Sequence, residues 1–344
     1  VIPTWLDSAW TTRDNTPVTN PITDAGATLG RVLFYDTRLS ANHTVACATC
    51  HVQALGFSDD LVRSVGFEGG LTGRRSMPLV NVAAYQPGRM FWDERATSVE
   101  DQVLRPIQDS VEMGLTLPEL VSRVESAPWY PDLFEDAFGD STVTSDRISL
   151  ALAQFVRSIV STGSRYDEGI VLAGGNPAAD FSNFTTQENR GKQLFFGDGN
   201  PGCVVCHLDR GPPPAAPNAN PGVFQPLFAR INGLNDTADD GIGGQNGIPN
   251  DVGRFKAPSL RNVALRAPYM HDGSRATLLD VVEFYDHEVA NVPGLDGALI
   301  DAGTGQPRVL NLSTDDKAAL VAFLETLTDL SITTDPRFSD PFQR

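Results

Sequence analysis

All four cysteines of the 344-residue chain lie in two Cys-x-x-Cys-His motifs, which hold the residues most capable of chemistry. The first motif contains Cys47, Cys50 and His51, and the second contains Cys203, Cys206 and His207. This is the spacing of c-type haem attachment, in which the two thiols bond the haem vinyl groups and the imidazole binds the iron. A disulfide or half of a zinc site would not explain a histidine after the second cysteine in both motifs. The sequence therefore predicts two covalently bound haem c groups.

Composition and charge limit where the protein works and what it binds. The formal net charge is −17, and haem propionates would make it more negative, so nucleic acid and anionic membrane surfaces are disfavoured. The charge suits a basic or dipolar redox partner, although acidity that only maintains solubility also explains it. No run of about 18 apolar residues is present, which predicts no membrane span. Because this haem attachment occurs on the oxidising side of a membrane, we expect a periplasmic protein whose signal peptide has been removed.

The two motifs belong to a longer unit that the chain uses twice. Similar segments flank them at residues 30–35 and 191–196, 78–83 and 258–264, and 92–97 and 271–277. Each half ends in an amphipathic helix, with Ser145 and Ser313 at the expected N-cap positions. The sequence thus predicts a mainly α fold, with two cytochrome c-like haem domains in tandem, long loops and little β structure.

This repeat also predicts the domain organisation. The expected boundaries are 20–165 for the N-terminal haem domain, 184–330 for the C-terminal haem domain, and 1–19 and 331–344 for terminal extensions. A stretch that contains Gly, Pro and Asn, residues 174–183, is the expected linker. The second half carries a Gly/Pro/Asn-rich insertion at residues 211–250, and long loops of this kind are usually functional or mobile.

A haem iron held by one histidine has a sixth position, and its occupant decides between electron transfer and catalysis. In the second half, Tyr285 follows Thr277, the start of a predicted helix, by eight residues. The same offset from Thr97 gives Arg105, followed by Pro106, and neither side chain can bind iron. The internal alignment therefore predicts a capped C-terminal haem and an open N-terminal haem.

Polar side chains follow Thr97 in the first half, where they would surround an open haem. Gln102 lies on the predicted distal helix, and Glu112 follows in the sequence Val-Glu-Met-Gly. A carboxylate beside an open ferric haem can take a proton from the proximal oxygen of peroxide and return it to the leaving oxygen. Taken alone, Glu112 would more often be a solvated loop charge. The nearby methionines have no special spacing, and packing explains them better than iron ligation: Met77, Met90 and Met113.

The chain resembles the bacterial di-haem cytochrome c peroxidases and their MauG-like relatives over roughly residues 20–330. The motifs that carry the resemblance are residues 33–36, 91–93, 111–114, 257–264 and 267–273. In that family the N-terminal haem is peroxidatic and has a Gln and a Glu on its distal side, and Gln102 and Glu112 match their spacing. The resemblance also implies that Trp92 relays electrons between the haems. A core role for Trp92 is compatible with such a relay, because a buried indole can serve both.

Three positions depart from the peroxidase pattern. Many relatives close the N-terminal haem with a loop histidine where this chain has Phe67, so the resemblance implies a site that is open without reductive activation. Tyr285 stands where the peroxidases have a Met and the MauG-like branch a Tyr, which implies a low-potential C-terminal haem. The alternative is that Tyr285 is a core aromatic residue and that Met270 or His271 binds this iron. Arg75 replaces an Asn that helps to bind calcium in the family, and arginine has no acceptor atoms, so calcium is doubtful.

The combined interpretation is a periplasmic di-haem peroxidase. Hydrogen peroxide would bind the open N-terminal haem, Glu112 and Gln102 would drive cleavage of its O–O bond, and Trp92 would share the second oxidising equivalent with the His207/Tyr285 haem. The donor would be a small redox protein in a peroxidase, or a residue of a protein substrate in a MauG-like enzyme. A pure electron-transfer di-haem cytochrome, with both irons six-coordinate, is the alternative from another class.

Overall fold

A computed structural model of the chain describes residues 2–197, 203–207, 222–234 and 238–342. Within the predicted insertion, residues 211–221 and 235–237 lie outside the described residues. In the described ranges the chain is mainly helical and its extended structure is limited to isolated bridges. The predicted mainly α class is therefore confirmed.

Short and medium helices joined by long loops make up the described chain. The α-helices, in chain order, are α1 (Thr4–Arg13), α2 (Asp24–Tyr35), α3 (Cys47–Cys50), α4 (Val99–Gln108), α5 (Leu117–Glu125), α6 (Tyr130–Phe138), α7 (Ser145–Ser158), α8 (Arg165–Leu172), α9 (Thr186–Phe196), α10 (Val204–His207), α11 (Ile242–Asn246), α12 (Leu278–Glu283) and α13 (Thr314–Glu325). A π-helical turn, Phe284–Glu288, follows α12. Short 3-10 turns lie at Thr37–Leu39, Gln53–Leu55, Val82–Ala84, Pro249–Asp251, Val263–Leu265, Gly297–Leu299 and Leu330–Thr333.

The chain divides into two compact units. The N-terminal unit comprises Arg13–Met90, Ala96–Ser161 and Ser331–Arg344, and the C-terminal unit comprises Val1–Thr12, Phe91–Arg95 and Thr162–Leu330. Both chain ends therefore belong to these units, although they lie outside the predicted domain boundaries of 20–165 and 184–330. The reason is apolar burial: α1 buries Leu6 and Trp10, and Phe338 packs on Phe57 with ring centroids 6.2 Å apart. Residues 174–183, the expected linker, lie within the C-terminal unit, where Phe181 is buried.

One helix pair forms the core of each unit, and a glycine allows its close approach. In the N-terminal unit α2 packs on α7, and a Cβ added to Gly30 would lie 2.0 Å from the backbone oxygen of Ala151. In the C-terminal unit α9 packs on α13, and a Cβ on Gly191 would lie 1.8 Å from the oxygen of Ala319. No Cβ atom can lie so close to a backbone oxygen, so these positions require glycine.

We expect Gly30→Ala to lower the free energy of unfolding of the N-terminal unit by about 2–3 kcal/mol, because α2 and α7 must separate to admit the methyl group. Gly73→Ala is the matched control, since a Cβ at Gly73 meets no atom within 4 Å. The comparison is a denaturant titration of both variants and the parent. Equal midpoints for the Gly30 and Gly73 variants would contradict the close packing described here.

Side-chain caps fix where the closing helix of each unit begins. At α13 the prediction is confirmed, since the Ser313 hydroxyl accepts a hydrogen bond from the Asp316 amide at 3.1 Å. At α7 the predicted cap is wrong by one residue. Thr144 is the N-cap and accepts from the Arg147 amide at 3.1 Å, while Ser145 is the first helical residue. Adjacent Thr and Ser are both good caps, so residue type alone does not separate them.

Candidate active site

The first Cys-x-x-Cys-His motif forms a single helical turn, α3. The Cys47 carbonyl accepts a hydrogen bond from the His51 amide at 2.9 Å, which closes the turn that carries both thiols and the imidazole. His51 Nδ1 lies 3.0 Å from the Phe57 carbonyl oxygen, so its Nε2 is the nitrogen left for an iron. Cys47 and Cys50 are free thiols, as covalent attachment to a vinyl group requires. These donors fit a haem c.

The second motif repeats this arrangement. His207 donates its amide to the Cys203 carbonyl at 2.9 Å, and Cys203 and Cys206 are again free thiols. Burial, with contributions from two arginines, lowers the pKa of His207 to about 4, so the imidazole is neutral and can serve as a ligand. Its Nδ1 is buried and has no hydrogen-bond partner among the described residues. This donor set also fits a haem c.

Each ligand histidine packs against a phenylalanine from the core helix pair of its own unit. The ring centroids of His51 and Phe34 are 6.5 Å apart at an interplanar angle of 41°, and those of His207 and Phe195 are 6.5 Å apart at 38°. The two attachment sites are thus built in the same way, as the sequence repeat predicts. The difference between the units must come from the segments that follow.

Helix α4 carries Gln102 in the N-terminal unit. Ser98 caps α4 by accepting the Asp101 amide at 3.1 Å, and Gln102 is half-buried one residue later. Arg105 is exposed and forms two hydrogen bonds of 2.9 Å with the Asp101 carboxylate. On α7, the guanidinium of Arg157 binds the Glu100 carboxylate and ties α4 to the core. Arg105, at the position equivalent to Tyr285, is therefore a surface ion pair.

The Glu100–Arg157 pair gives a pH-dependent prediction. Burial alone would raise the pKa of Glu100, but hydrogen bonds from Arg157 and Asn20 lower it to about 2. A carboxyl group whose pKa is lowered in the folded state stabilises the fold fully above its ordinary pKa, here 4.5. This stabilisation is lost as the pH falls from 4.5 to the pKa of the folded state. Glu100→Gln should thus destabilise the N-terminal unit by about 1–2 kcal/mol near neutral pH, and the difference should shrink below about pH 4.5. Thermal unfolding across this range measures it.

Glu125→Gln, which alters an exposed carboxylate in the same unit, is the control. If the loss of stability in Glu100→Gln stays constant down to about pH 3, the interaction does not depend on the Glu100 charge.

Glu112 lies in a tight loop after α4. The Asp109 carboxylate accepts hydrogen bonds from the amides of Val111 (2.8 Å) and Glu112 (3.1 Å) and so sets the loop conformation. Burial raises the pKa of Cys47 to about 12 and of Cys50 to about 11, and the Glu112 carboxylate adds to both shifts. An electrostatic effect on both thiols means that this carboxylate lies near the first attachment motif. The Glu112 loop thus lies beside the first attachment motif, and the role of its carboxylate in proton transfer stays a prediction.

The loop that contains Phe67 packs directly on the Glu112 loop. The Phe67 amide donates to the Glu112 carbonyl at 3.2 Å, and Asn42 Nδ2 donates to the Phe67 carbonyl at 2.6 Å. A Cβ on Gly66 would lie 1.7 Å from the Val111 oxygen, and one on Gly114 would lie 2.6 Å from the Phe67 ring. The two loops therefore fit only with glycine at both places, and Phe67 presents no atom that could bind iron.

Arg75 is buried and its guanidinium binds the turn that precedes Phe67. It lies 3.5 Å from the Asp59 carboxylate, 2.6 Å from the Asp59 carbonyl oxygen and in hydrogen-bond contact with the Leu61 carbonyl. A guanidinium thus already neutralises these oxygen atoms. Position 75 does not fit a calcium ligand.

Trp92 lies in the short segment Phe91–Arg95, which belongs to the C-terminal unit, whereas the segments that end at Met90 and begin at Ala96 belong to the N-terminal unit. Its carbonyl accepts the Lys256 amide at 2.7 Å, and its indole meets the His271 ring edge-on with centroids 6.3 Å apart. His271 also stacks on Phe255 at 3.7 Å, with an interplanar angle of 16°. Trp92 is 9% exposed. A buried tryptophan in an aromatic cluster suits both the core role and a relay. The His271 ring contacts both Trp92 and Phe255 in this cluster.

Tyr285 lies in the π-helical turn after α12. Its hydroxyl accepts a long hydrogen bond from Asn232 Nδ2 at 3.4 Å, and the same nitrogen lies 3.8 Å from the sulfur of Met270. Burial raises the pKa of Tyr285 to about 12, the Asn232 hydrogen bond opposes the rise, and Cys206 and Cys203 add to it. The phenol therefore lies near the second attachment motif. Asn232 was missed by the sequence analysis, because it sits in the Asn-rich insertion without a recognisable spacing.

An ion cluster holds the turn that carries Tyr285. Lys317 of α13 contacts Asp286 at 2.8 Å and Glu283 at 2.6 Å, and the Leu312 amide donates to the Asp286 carboxylate at 3.0 Å. His287 is half exposed beside this cluster. The neighbours of Tyr285 on both sides are thus fixed to α13, which orients the phenol.

Comparisons with known proteins agree with this construction. A family model described as di-haem cytochrome c peroxidase matches residues 24–174. Methylamine utilization protein MauG of Methylorubrum extorquens is 32% identical over 90% of this chain and 80% of its own length. Cytochrome c551 peroxidase of Nitrosomonas europaea is 32% identical over 88% of this chain and 79% of its own. A solved MauG-like protein associated with microbial copper homeostasis is 32% identical and covers 99% of both chains, with a TM-score of 0.78.

The chain therefore belongs to the family of di-haem cytochrome c peroxidases and MauG proteins. It is a di-haem oxidoreductase, as the two motifs and the resemblance predict. Within the described ranges, no helix has the combination of length and apolar character that crossing a membrane requires.

Proposed function

We propose that the chain is a periplasmic di-haem c-type enzyme that reduces hydrogen peroxide at its N-terminal haem. The observation that carries this proposal is the packing of the Phe67 loop on the backbone of the Glu112 loop, whose carboxylate acts electrostatically on Cys47 and Cys50. A haem held by Cys47, Cys50 and His51 would supply the iron at which hydrogen peroxide is reduced.

Glu112 is the residue that moves protons in this proposal. Reduction of hydrogen peroxide to two water molecules consumes two electrons and two protons, and the O–O bond breaks. The Glu112 carboxylate would take the proton from one peroxide oxygen and deliver it to the other, which leaves as the first water. The remaining oxygen takes up the two electrons and the two protons and becomes the second water. The half-buried amide of Gln102 would donate a hydrogen bond that orients the leaving oxygen. Phe67 excludes a competing ligand from the same space.

The C-terminal unit supplies the second redox site. His207 and Tyr285 are the proposed iron ligands, since both lie by the second attachment motif, and an oxygen ligand favours the more oxidised states of iron. Met270 shares Asn232 with Tyr285 and is the alternative ligand. Trp92, buried against His271, is the proposed relay for the second oxidising equivalent.

A second candidate function is oxidative modification of a partner protein. Tyr285 and Phe67 favour this function. Tyr285 would stabilise the oxidised states of the C-terminal haem, and Phe67 would leave the N-terminal haem open without reductive activation. The oxidised enzyme could then persist until a large protein substrate binds. The similarity to the MauG proteins and to the MauG-like protein associated with copper homeostasis supports the same candidate. In both candidates peroxide is reduced at the same place.

Peroxide consumption by the purified di-haem protein tests the proposal. With a reduced small redox protein present, we expect two electrons to be withdrawn from the donor for each peroxide consumed. A pure electron-transfer cytochrome would exchange electrons with the donor but leave peroxide unchanged, and that result would overturn the proposal. Peroxide consumption that proceeds without a soluble donor and oxidises an added partner protein would select the second candidate.

A further inference from the structure

Residues 64–72 of the N-terminal unit form a short antiparallel hairpin, which we call the Phe67 hairpin because Phe67 lies at its tip. One antiparallel bridge joins its two arms. At the stem, the Ser64 carbonyl accepts the Thr72 amide at 3.0 Å, and the Ser64 amide donates to the Thr72 hydroxyl at 3.0 Å. Ser64 and Thr72 therefore close the hairpin at the end opposite to Phe67.

The tip of the Phe67 hairpin supports the Glu112 loop, residues 109–114, through backbone contacts. The Phe67 amide donates to the Glu112 carbonyl at 3.2 Å. Gly66 approaches the same loop so closely that a Cβ there would lie 1.7 Å from the Val111 oxygen. A displacement of the hairpin would therefore also displace the backbone that carries the Glu112 carboxylate.

A second segment holds the hairpin and the loop together. The Ala41 amide donates to the Met113 carbonyl at 2.7 Å, and Asn42 Nδ2 donates to the Phe67 carbonyl at 2.6 Å. Both residues precede Cys47 by a few positions. The Glu112 loop is thus bonded to the Phe67 hairpin and to the segment that leads into the first attachment motif.

A buried group of three side chains, Asp59, Ser64 and Arg75, anchors the stem of the hairpin, and we call it the stem cluster. The Ser64 hydroxyl donates a hydrogen bond to the Asp59 carboxylate, which lies 3.5 Å from the Arg75 guanidinium. Arg75 also donates to the carbonyl oxygens of Asp59, at 2.6 Å, and Leu61. Since each member is at most 5% exposed, water competes little for these bonds.

The stem cluster lies beside the turn that carries the first attachment motif. Burial raises the pKa of Cys50 to about 11, and a hydrogen bond with the Ser64 side chain opposes this rise, so Ser64 contacts the thiol. Ser76, which follows Arg75 in the chain, donates its hydroxyl to the Cys50 carbonyl at 2.7 Å. The carbonyl of Ser76 accepts the Ser58 hydroxyl at 3.0 Å. These bonds fix the stem relative to the attachment turn.

We propose that Asp59, Ser64 and Arg75 are positioning residues for peroxide reduction, because they fix the Phe67 hairpin and the hairpin fixes the loop that carries Glu112. This inference rests on the proposed function and adds the residues that place its proton carrier. Arg75 supplies the positive charge of the stem cluster from within the chain, so the cluster needs no bound cation. A displacement of about 1 Å at a reacting group can cost about a hundred-fold in rate, which makes such support necessary.

A double-mutant cycle in the haem-loaded protein tests the proposal. Rapid mixing with peroxide gives the rates of the parent, Ser64→Ala, Glu112→Gln and the double variant. We expect Ser64→Ala to slow the reaction about tenfold or more in the parent, but less than about twofold when residue 112 is already glutamine. Ser122→Ala, which alters an exposed serine of α5, is the control and should keep the parent rate. Equal slowing by Ser64→Ala in both backgrounds would overturn the proposal, since the cluster would then act on something other than Glu112.

Two substitutions of Arg75 test the charge. Arg75→Met leaves the Asp59 carboxylate buried without its cation, and Arg75→Lys keeps a positive charge. We expect the methionine variant to react about tenfold or more slowly than the parent and the lysine variant to lie between them. The parent should react equally fast with and without EDTA. A methionine variant as fast as the parent, or a parent rate that falls with EDTA and returns with calcium ions, would contradict the role of Arg75.

Amide hydrogen exchange gives a readout other than activity. In Ser64→Ala we expect the amides of residues 66–72 and 111–114 to exchange about tenfold faster or more, while those of α2 and α7 keep their protection. Faster exchange in the hairpin alone, with residues 111–114 unchanged, would show that the hairpin does not hold the Glu112 loop and would overturn the proposal. A parent protein that consumes no peroxide would instead reject the proposed function, and the positioning role with it, whatever the exchange shows.

Discussion

Glu112→Gln is expected to slow peroxide reduction by about a hundred-fold or more, the usual effect of removing a general acid–base group. Glutamine keeps the size of the side chain and the Asp109 bonds that shape the loop, which involve backbone amides only. It removes the group that carries the proton between the two peroxide oxygens. Rapid mixing of the oxidised protein with peroxide measures the rate of the first spectral change directly, before any donor is involved.

The matched control is Glu68→Gln, an exposed carboxylate on the facing loop one residue from Phe67. It changes the net charge by the same amount and should leave the rate as it is. A Glu112→Gln rate within about threefold of the parent would remove Glu112 from the proton transfer, since a general acid–base contributes well above that.

Tyr285→Phe is expected to abolish the low-spin signal of the C-terminal haem completely. The phenyl ring fills the same space in the π-helical turn, but it has no oxygen to complete the coordination. The ion cluster of Glu283, Asp286 and Lys317 holds the turn in both proteins, so the loss would report ligation and not a displaced backbone. Electron paramagnetic resonance of the ferric protein makes the measurement.

Tyr269→Phe is the control for this substitution, because Tyr269 is buried in the same unit and donates to a backbone carbonyl. It should keep the low-spin signal. Persistence of that signal in Tyr285→Phe would transfer the ligand role to Met270, which lies near the same Asn232, or to its neighbour His271.

Much of the architecture was predictable because the chain repeats itself. Gly30 and Gly191 each precede a phenylalanine at the same spacing, and the structure gives them the same task at nearly the same distance from a partner helix. The ring centroids of His51 and Phe34 and those of His207 and Phe195 are likewise the same distance apart, 6.5 Å. A motif that occurs twice exposes its structural requirements, since what both copies keep is what the fold needs.

The positions that the sequence did not reveal depend on contacts between distant segments. Asn232 reaches Tyr285 across 53 positions, and the Tyr130 phenol reaches Asp36 across 94. Residues 91–95 belong to the C-terminal unit, where the Trp92 carbonyl accepts a hydrogen bond from the Lys256 amide. No local periodicity marks such pairings. The roles of Gln102 and Trp92 remain predictions, as do those of Glu112 and Tyr285, which the proposed variants test.

The proposed function requires an open N-terminal haem and a C-terminal haem that is closed by Tyr285. The most direct test is electron paramagnetic resonance of the ferric protein before and after one equivalent of hydrogen peroxide. We predict one high-spin and one low-spin signal at equal amounts, with both diminished together by peroxide. Two low-spin signals that peroxide leaves unchanged would contradict the claim and identify an electron-transfer cytochrome.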